Sequence, residues 1–133
     1  MLRPLLATAA LAALLVSGCK DSNAPTTSQA ILISDGVAVT GISGSKNSRR
    51  YYRIVVPANA TELKVETDEG TGDVDLTVRY NRLPEILEFD CSSFADGNED
   101  GCEVDNPAAG DWYIMLHAAE AYSGARLTVT ITP

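Results

Sequence analysis

From Ile31 to the end of the chain, apolar and polar residues alternate with a period of two, the spacing of half-buried strands. Ile31-Leu32-Ile33 and Val37 to Ile42 flank an Asp35-Gly36 turn, and Gly41 to Asn47 reads as a small-residue loop. Tyr51 to Val56 places Tyr52, Ile54 and Val56 on one face before Pro57-Ala58-Asn59 ends it. Glu62 to Thr67 sends Leu63 and Val65 inward and Glu62, Lys64 and Glu66 outward. Gly70 to Asp73 turns the chain into a strand with Val74, Leu76, Val78 and Tyr80 facing in and Asp75, Thr77 and Arg79 facing out. A Pro-containing corner and an acidic loop between Cys91 and Cys102 follow. A turn at Asn106 to Gly110 leads into Asp111 to His117, with Trp112, Ile114 and Leu116 on one face. Tyr122-Ser123-Gly124 is expected to turn again before Arg126 to Thr132 alternates Leu127, Val129 and Ile131 against threonines. No segment carries a helical period. The pattern predicts an all-β fold, a single antiparallel, jelly-roll-like β-sandwich of seven or eight strands, each sheet with one wet face.

The N-terminus follows a different rule. Arg3 lies before an apolar run from Pro4 to Val16, too short for the ~20 residues that cross a bilayer and suited to a signal segment. Val16-Ser17-Gly18-Cys19 resembles the bacterial lipobox, which implies cleavage before Cys19 and lipid attachment to it. The domain reading is therefore a signal peptide over 1–18, a lipid-anchored flexible tether over 19–30 and a sandwich over 31–133. The tether is polar and rich in Pro, Ser and Thr. Lys20 stands where an Asp would resemble an inner-membrane retention signal, so the expected location is the cell envelope at the outer membrane.

Cysteine usage agrees with that compartment. With Cys19 assigned to lipid, Cys91 and Cys102 remain as a disulfide pair outside the cytoplasm. A zinc site or a redox pair fits less well, since the spacing is not CxxC and His117 is the only histidine. The formal net charge is −8, and it becomes −9 once Arg3 leaves with the signal segment. Such a chain repels nucleic acid and anionic headgroups, which argues against both as partners.

The ordered series of strands and turns resembles the bacterial pre-peptidase C-terminal domain. The residues that carry the resemblance begin with Gly41-Ile42-Ser43-Gly44, then Tyr51-Tyr52-Arg53-Ile54 ending at Val56-Pro57. Leu63-Lys64-Val65 leads to Gly70-Thr71-Gly72-Asp73-Val74-Asp75-Leu76, close to the GGTGDADLY run of that family. Pro84, Asp90-Cys91, Gly97-Asn98-Glu99, Cys102, Gly110-Asp111-Trp112-Tyr113-Ile114 and Ala121-Tyr122-Ser123-Gly124 complete it. The resemblance implies a small β-sandwich of the kind appended to secreted proteases and to the collagen-binding modules of collagenases. It implies no activity, because the catalytic residues of those enzymes lie elsewhere.

The residues themselves point the same way. Ser-His-Asp chemistry needs a histidine placed for it, and His117 falls on the strand face opposite Trp112. No HExxH is present, and no carboxylate pair stands out for glycoside hydrolysis. Calcium is the cofactor to consider. Asp96-Gly97-Asn98-Glu99-Asp100-Gly101 matches the first half of an EF-hand loop, but its twelfth position is Pro107 where a bidentate Glu belongs. The candidate metal ligands are Asp96, Asn98 and Asp100, with Asp73 and Asp75 as a second group. Calcium-binding relatives of the collagenase type carry acids in the linker and before the aromatic strand; here Ala24-Pro25-Thr26-Thr27 and Arg49-Arg50 stand there, which implies that this site is absent. Tyr51, Tyr113 and Tyr122 fall on or near outward positions and are the candidate ligand-binding aromatics. The functional expectation is a non-catalytic, lipid-anchored envelope module that binds a protein or an extracellular polymer. The competing one is an accessory lipoprotein that assists secretion or maturation of an extracellular hydrolase.

Overall fold

The computed structural model describes residues 24–133; the signal segment, Cys19 and the first residues of the tether lie outside that range. After a 3-10 turn at Thr27–Gln29 come β1 (Ile31–Leu32), β2 (Val39–Gly44), β3 (Arg49–Val56) and β4 (Glu62–Asp68). They are followed by β5 (Thr71–Tyr80), β6 (Cys91–Ser93), β7 (Asp100–Asp105) and β8 (Gly110–Thr132).

β8 organises the molecule, because one strand of 23 residues serves both layers. Its first half lies between β3, from Val56↔Gly110 to Arg49↔His117, and β5, from Tyr80↔Trp112 to Val74↔Ala118. Its second half lies between β2 and β4, the latter from Asp68↔Arg126 to Glu62↔Thr132. β1 joins β3 in parallel, β6 extends the first layer beyond β5, and β7 extends the second beyond β4. Apolar rows from both layers meet inside. Tyr52, Ile54, Val74, Leu76, Val78, Trp112, Ile114 and Leu116 come from the first, and Ile42, Leu63, Val65, Leu127 and Val129 from the second. Burying an aliphatic side chain of this size contributes about 1.5–3 kcal/mol, which makes these rows the main driving force for closure.

The expected turn at Tyr122-Ser123-Gly124 is instead a bend within β8. Tyr122 and Ala125 stay paired to β2, and Ser123 stays paired to Thr71 of β5, so the chain never leaves the sheet. Gly124 takes φ +74 at the bend. The Gly70–Gly72 run at the start of β5 fits against that bend with backbone touching backbone. A Cβ at Gly72 would run into the Ala121 carbonyl oxygen, and one at Gly70 into that of Ser123. Only glycine permits this crossing, and both residues also hold positive φ, +75 and +101 in chain order.

Three further expectations change. β2 begins two residues later than expected and runs into the predicted loop as far as Gly44. Tyr80 does not enter the core; it is 37% exposed, and its ring tilts against Trp112 at 5.2 Å at one end of the sandwich. The first layer also lacks a uniformly wet outer face, because Tyr113, Met115 and Thr77 are buried on the side away from the core. In the register Met115 lies between Tyr51 and Thr77, and Tyr113 between Arg53 and Arg79. Long outward side chains beside a central strand cover it, which period-two alternation cannot anticipate. The Cys91–Cys102 loop runs from β6 into the start of β7, one strand in each layer, and the disulfide joins the layers with the two Cα atoms 5.9 Å apart.

Candidate functional site

The acidic residues singled out above gather around the corner where β4 passes into β5. Glu69 and Gly70 both hold positive φ, which makes this passage between layers very short. Asn98 braces it. Its Nδ2 donates to the carbonyl oxygens of Glu69 and Thr71, both at 3.0 Å, and its Oδ1 accepts from the Val74 N–H at 3.1 Å. With three of its bonds made to backbone and the residue buried, Asn98 is committed to holding the 94–99 loop against the corner.

Asp100 lies at the start of β7 and is only 5% exposed. Its Oδ1 accepts from Ser93 Oγ at 3.0 Å and from the Ala95 N–H at 3.1 Å, and its Oδ2 has no partner among the described residues. Burial pushes its carboxyl up to about 6, and the charges of Asp75 and Asp73 push in the same direction against those two hydrogen bonds. Asp75 is likewise raised to about 6, first by burial and then by the charges of Asp73 and Asp96. Asp73 Oδ1 is buried and also unpartnered among the described residues. These carboxylates feel one another, yet no three His, Cys, Asp or Glu side chains among the described residues form a group that could hold a metal ion. Within the half EF-hand pattern, Asn98 Oδ1 accepts from the Val74 N–H and Asp100 Oδ1 from Ser93 and Ala95, so these two oxygens are already engaged by the fold, whereas Asp100 Oδ2 and Asp73 Oδ1 are not.

The three candidate tyrosines separate. Tyr122 is in the core and Tyr113 is buried, at 4% and 6% exposure, so the outward placement expected for them is corrected. Tyr122 follows the bend of β8, which turns its ring inward against Gly44. Burial raises the Tyr122 hydroxyl above the usual phenolic range. A ring sealed in this way offers little area to a partner. Tyr51 remains half-buried on the outer face of β3. His117 stands opposite Arg49 and Asp75 in the register, and burial followed by the Arg49 charge lowers its basicity.

Two arrangements were not anticipated from the sequence. Arg126 clamps Asp68 through Nε at 2.8 Å and Nη2 at 2.6 Å, and reaches Glu69 through Nη1 at 3.1 Å. Asp68 and Arg126 are far apart in the chain, and only the β4–β8 register brings them together. The second is a cleft at the start of β3, lined by Arg49, Arg50, Tyr51 and the segment before β1.

Comparison with known proteins agrees with this architecture. The family model for the bacterial pre-peptidase C-terminal domain matches residues 48–118. Alkaline serine exoprotease A of Vibrio alginolyticus is 34% identical over 95 residues, which cover 71% of this chain and 18% of the protease. The solution structure of vEP C-ter 100 superposes with a TM-score of 0.62 at 29% identity, covering 75% of this chain and 98% of that one. PliG of Aeromonas hydrophila, described as a periplasmic inhibitor of g-type lysozyme, shares the fold at a TM-score of 0.57 and 14% identity, covering 77% of this chain and 98% of that one. The chain spans less than a fifth of the protease it matches, and the matched region is a non-catalytic domain. With its ordered motifs, eight strands and a family match from 48 to 118, the chain belongs to the bacterial pre-peptidase C-terminal domain family.

Proposed function

We propose that this chain is a non-catalytic binding or targeting module of the cell envelope, recognising a protein or an extracellular polymer. The observation that carries the reading is the family match, which places this domain beside a catalytic machinery in the protease relative rather than within it. The geometry supports it. His117 lies between Arg49 and Asp75 in the register, and the carboxylates with raised pKa lie at a corner that Asn98 braces. In this reading Cys19 carries the lipid that tethers the module to the outer membrane, and the Cys91–Cys102 disulfide suits an oxidising compartment. This reading does not depend on calcium: Asn98 Oδ1 and Asp100 Oδ1, two of the candidate ligands, already accept hydrogen bonds within the fold.

A second reading makes the chain an accessory protein that acts on a hydrolase. It draws on PliG, in which a fold of this shape serves as a lysozyme inhibitor. A pull-down from envelope extract, run beside a panel of collagen, chitin and peptidoglycan, separates the two. Retention on a polymer with no co-purifying protein supports the targeting module and removes the accessory reading. Recovery of a hydrolase with no polymer retention does the reverse. Cys19→Ala should move the protein from the membrane to the soluble fraction, and unchanged membrane recovery would remove the anchor from this account.

A further inference from the structure

Eight of the lysines and arginines lie among the described residues, and five of them pair with a carboxylate: Lys46, Arg53, Lys64, Arg79 and Arg126. That is the expected outcome in a chain with 18 acids against 10 lysines and arginines. Arg49, Arg50 and Arg82 make no such pair among the described residues. Two of these three are adjacent, and they line one open cleft of about 430 Å³.

The fold explains why the cleft exists. β1 pairs with β3 only from Tyr52 onward, so the β3 edge at Arg49–Tyr51 is left beside the incoming segment Pro25–Gln29 without a ladder. Arg49 and Arg50 alternate across the strand and so approach the opening from both faces. Arg50 is steadied by its Nε donating to the Ser43 carbonyl oxygen at 2.8 Å, and its guanidinium lies beside the buried Tyr122 hydroxyl. Tyr51 and Gln29 add polar atoms to the lining, and Ile31, 56% exposed, forms an apolar rim with Leu32, 58% exposed, next to it. Two guanidinium groups that no carboxylate neutralises, beside exposed aliphatic side chains, are the chemistry that meets a phosphate at an apolar boundary.

We propose that the Arg49–Arg50–Tyr51 cleft binds a phosphate group, with a phospholipid headgroup as the favoured source and free phosphate as the other. This is independent of the functional reading above. The net negative charge opposes anions at long range, whereas both arginines act within a Debye length, about 8–10 Å, of a group in the cleft. Binding therefore weakens as salt is raised.

The test is amide shift mapping on the ¹⁵N-labelled full chain at fixed ionic strength. One titration uses sodium phosphate, and another uses dihexanoyl phosphatidylglycerol below its micelle concentration. Saturable shifts confined to Arg49–Tyr51 and Gln29–Ile31 are expected. Saturation by both probes identifies the phosphate group itself as the ligand, and saturation by the lipid alone identifies the headgroup. Arg49→Gln should raise the apparent Kd at least about tenfold, as expected for a lost charge-assisted contact, and Arg82→Gln should leave it unchanged. Adding Arg50→Gln should abolish saturation. Should that double variant lose its folded spectrum, Arg49→Gln, whose side chain makes no hydrogen bond among the described residues, decides alone. The absence of saturable shifts at these amides with either probe, or an unaltered Kd in folded Arg49→Gln, would overturn the proposal.

Discussion

The acidic corner at Glu69–Asp75 and the basic edge at Arg49–Tyr51 carry opposite charge, and they are built on opposite principles. At the corner the buried side chains are tied into the fold, with Asp100 Oδ2 and Asp73 Oδ1 left without a partner among the described residues. Asn98 makes three bonds to backbone, Asp100 accepts two, and Arg126 grips Asp68 and Glu69. At the edge two arginines stand without a carboxylate, although the molecule has acids in excess. Density of charge therefore says little about function. What matters is whether the charged atoms already have partners within the fold.

That contrast can be broken at several points, the largest effect first. Gly72→Val places a β-branched side chain at φ +101 and against the Ala121 carbonyl, and should cost more than about 3 kcal/mol in urea unfolding. A variant as stable as the parent would mean that the crossing at the β8 bend is not tight. Replacing Cys91 and Cys102 by Ser unlinks the layers next to the corner and should cost about 3 kcal/mol, read as a drop in Tm of roughly 10–20 °C.

Asp100→Asn acts in the other direction. A carboxyl raised in the folded state binds its proton more tightly folded than unfolded, so its stabilising contribution is complete below pH 3.8 and is lost as pH rises through about 6. Asp75 titrates over the same window and with the same sign. The parent should therefore lose stability between pH 4 and 6 on account of these two groups. Asp100→Asn should flatten that loss and gain on the order of 1–2 kcal/mol at pH 7. A loss of stability at pH 7 would show the charge itself to be needed. The smallest expected effect is that of calcium: millimolar calcium against chelator should leave Tm unchanged within about 1 °C, and a clear rise would show an ion held by these carboxylates.

Much of the fold was legible in the sequence because period-two alternation reports burial directly. The rows Tyr52-Ile54-Val56, Leu63-Val65 and Trp112-Ile114-Leu116 are buried as their spacing predicts. The failures share one cause. Tyr122-Ser123-Gly124 has the composition of a turn, and whether such a tripeptide reverses the chain or bends a continuous strand depends on partners elsewhere, here Gly44 and Thr71. The burial of Met115 and Tyr113 depends on cross-strand neighbours in the same way. In the corner, the Gly-Thr-Gly-Asp run has the composition of a turn, yet the chain turns at Glu69–Gly70 and β5 already runs from Thr71. Asn98 looked like a ligand because oxygen spacing within a loop does not reveal which way the oxygens point. The exposed pair at Arg49–Arg50 becomes meaningful only once the other cations are seen to be paired.

The central claim is that the acidic corner belongs to the fold, and Asn98 tests it most directly. Urea unfolding of full-length Asn98→Ala should show a loss of about 2–4 kcal/mol, since three hydrogen bonds go and the buried Val74 N–H is left without an acceptor. Arg49→Gln, measured alongside, should change stability by less than about 0.5 kcal/mol. An Asn98→Ala protein that unfolds at the parent's urea midpoint would contradict the account and return the corner to the status of a free site.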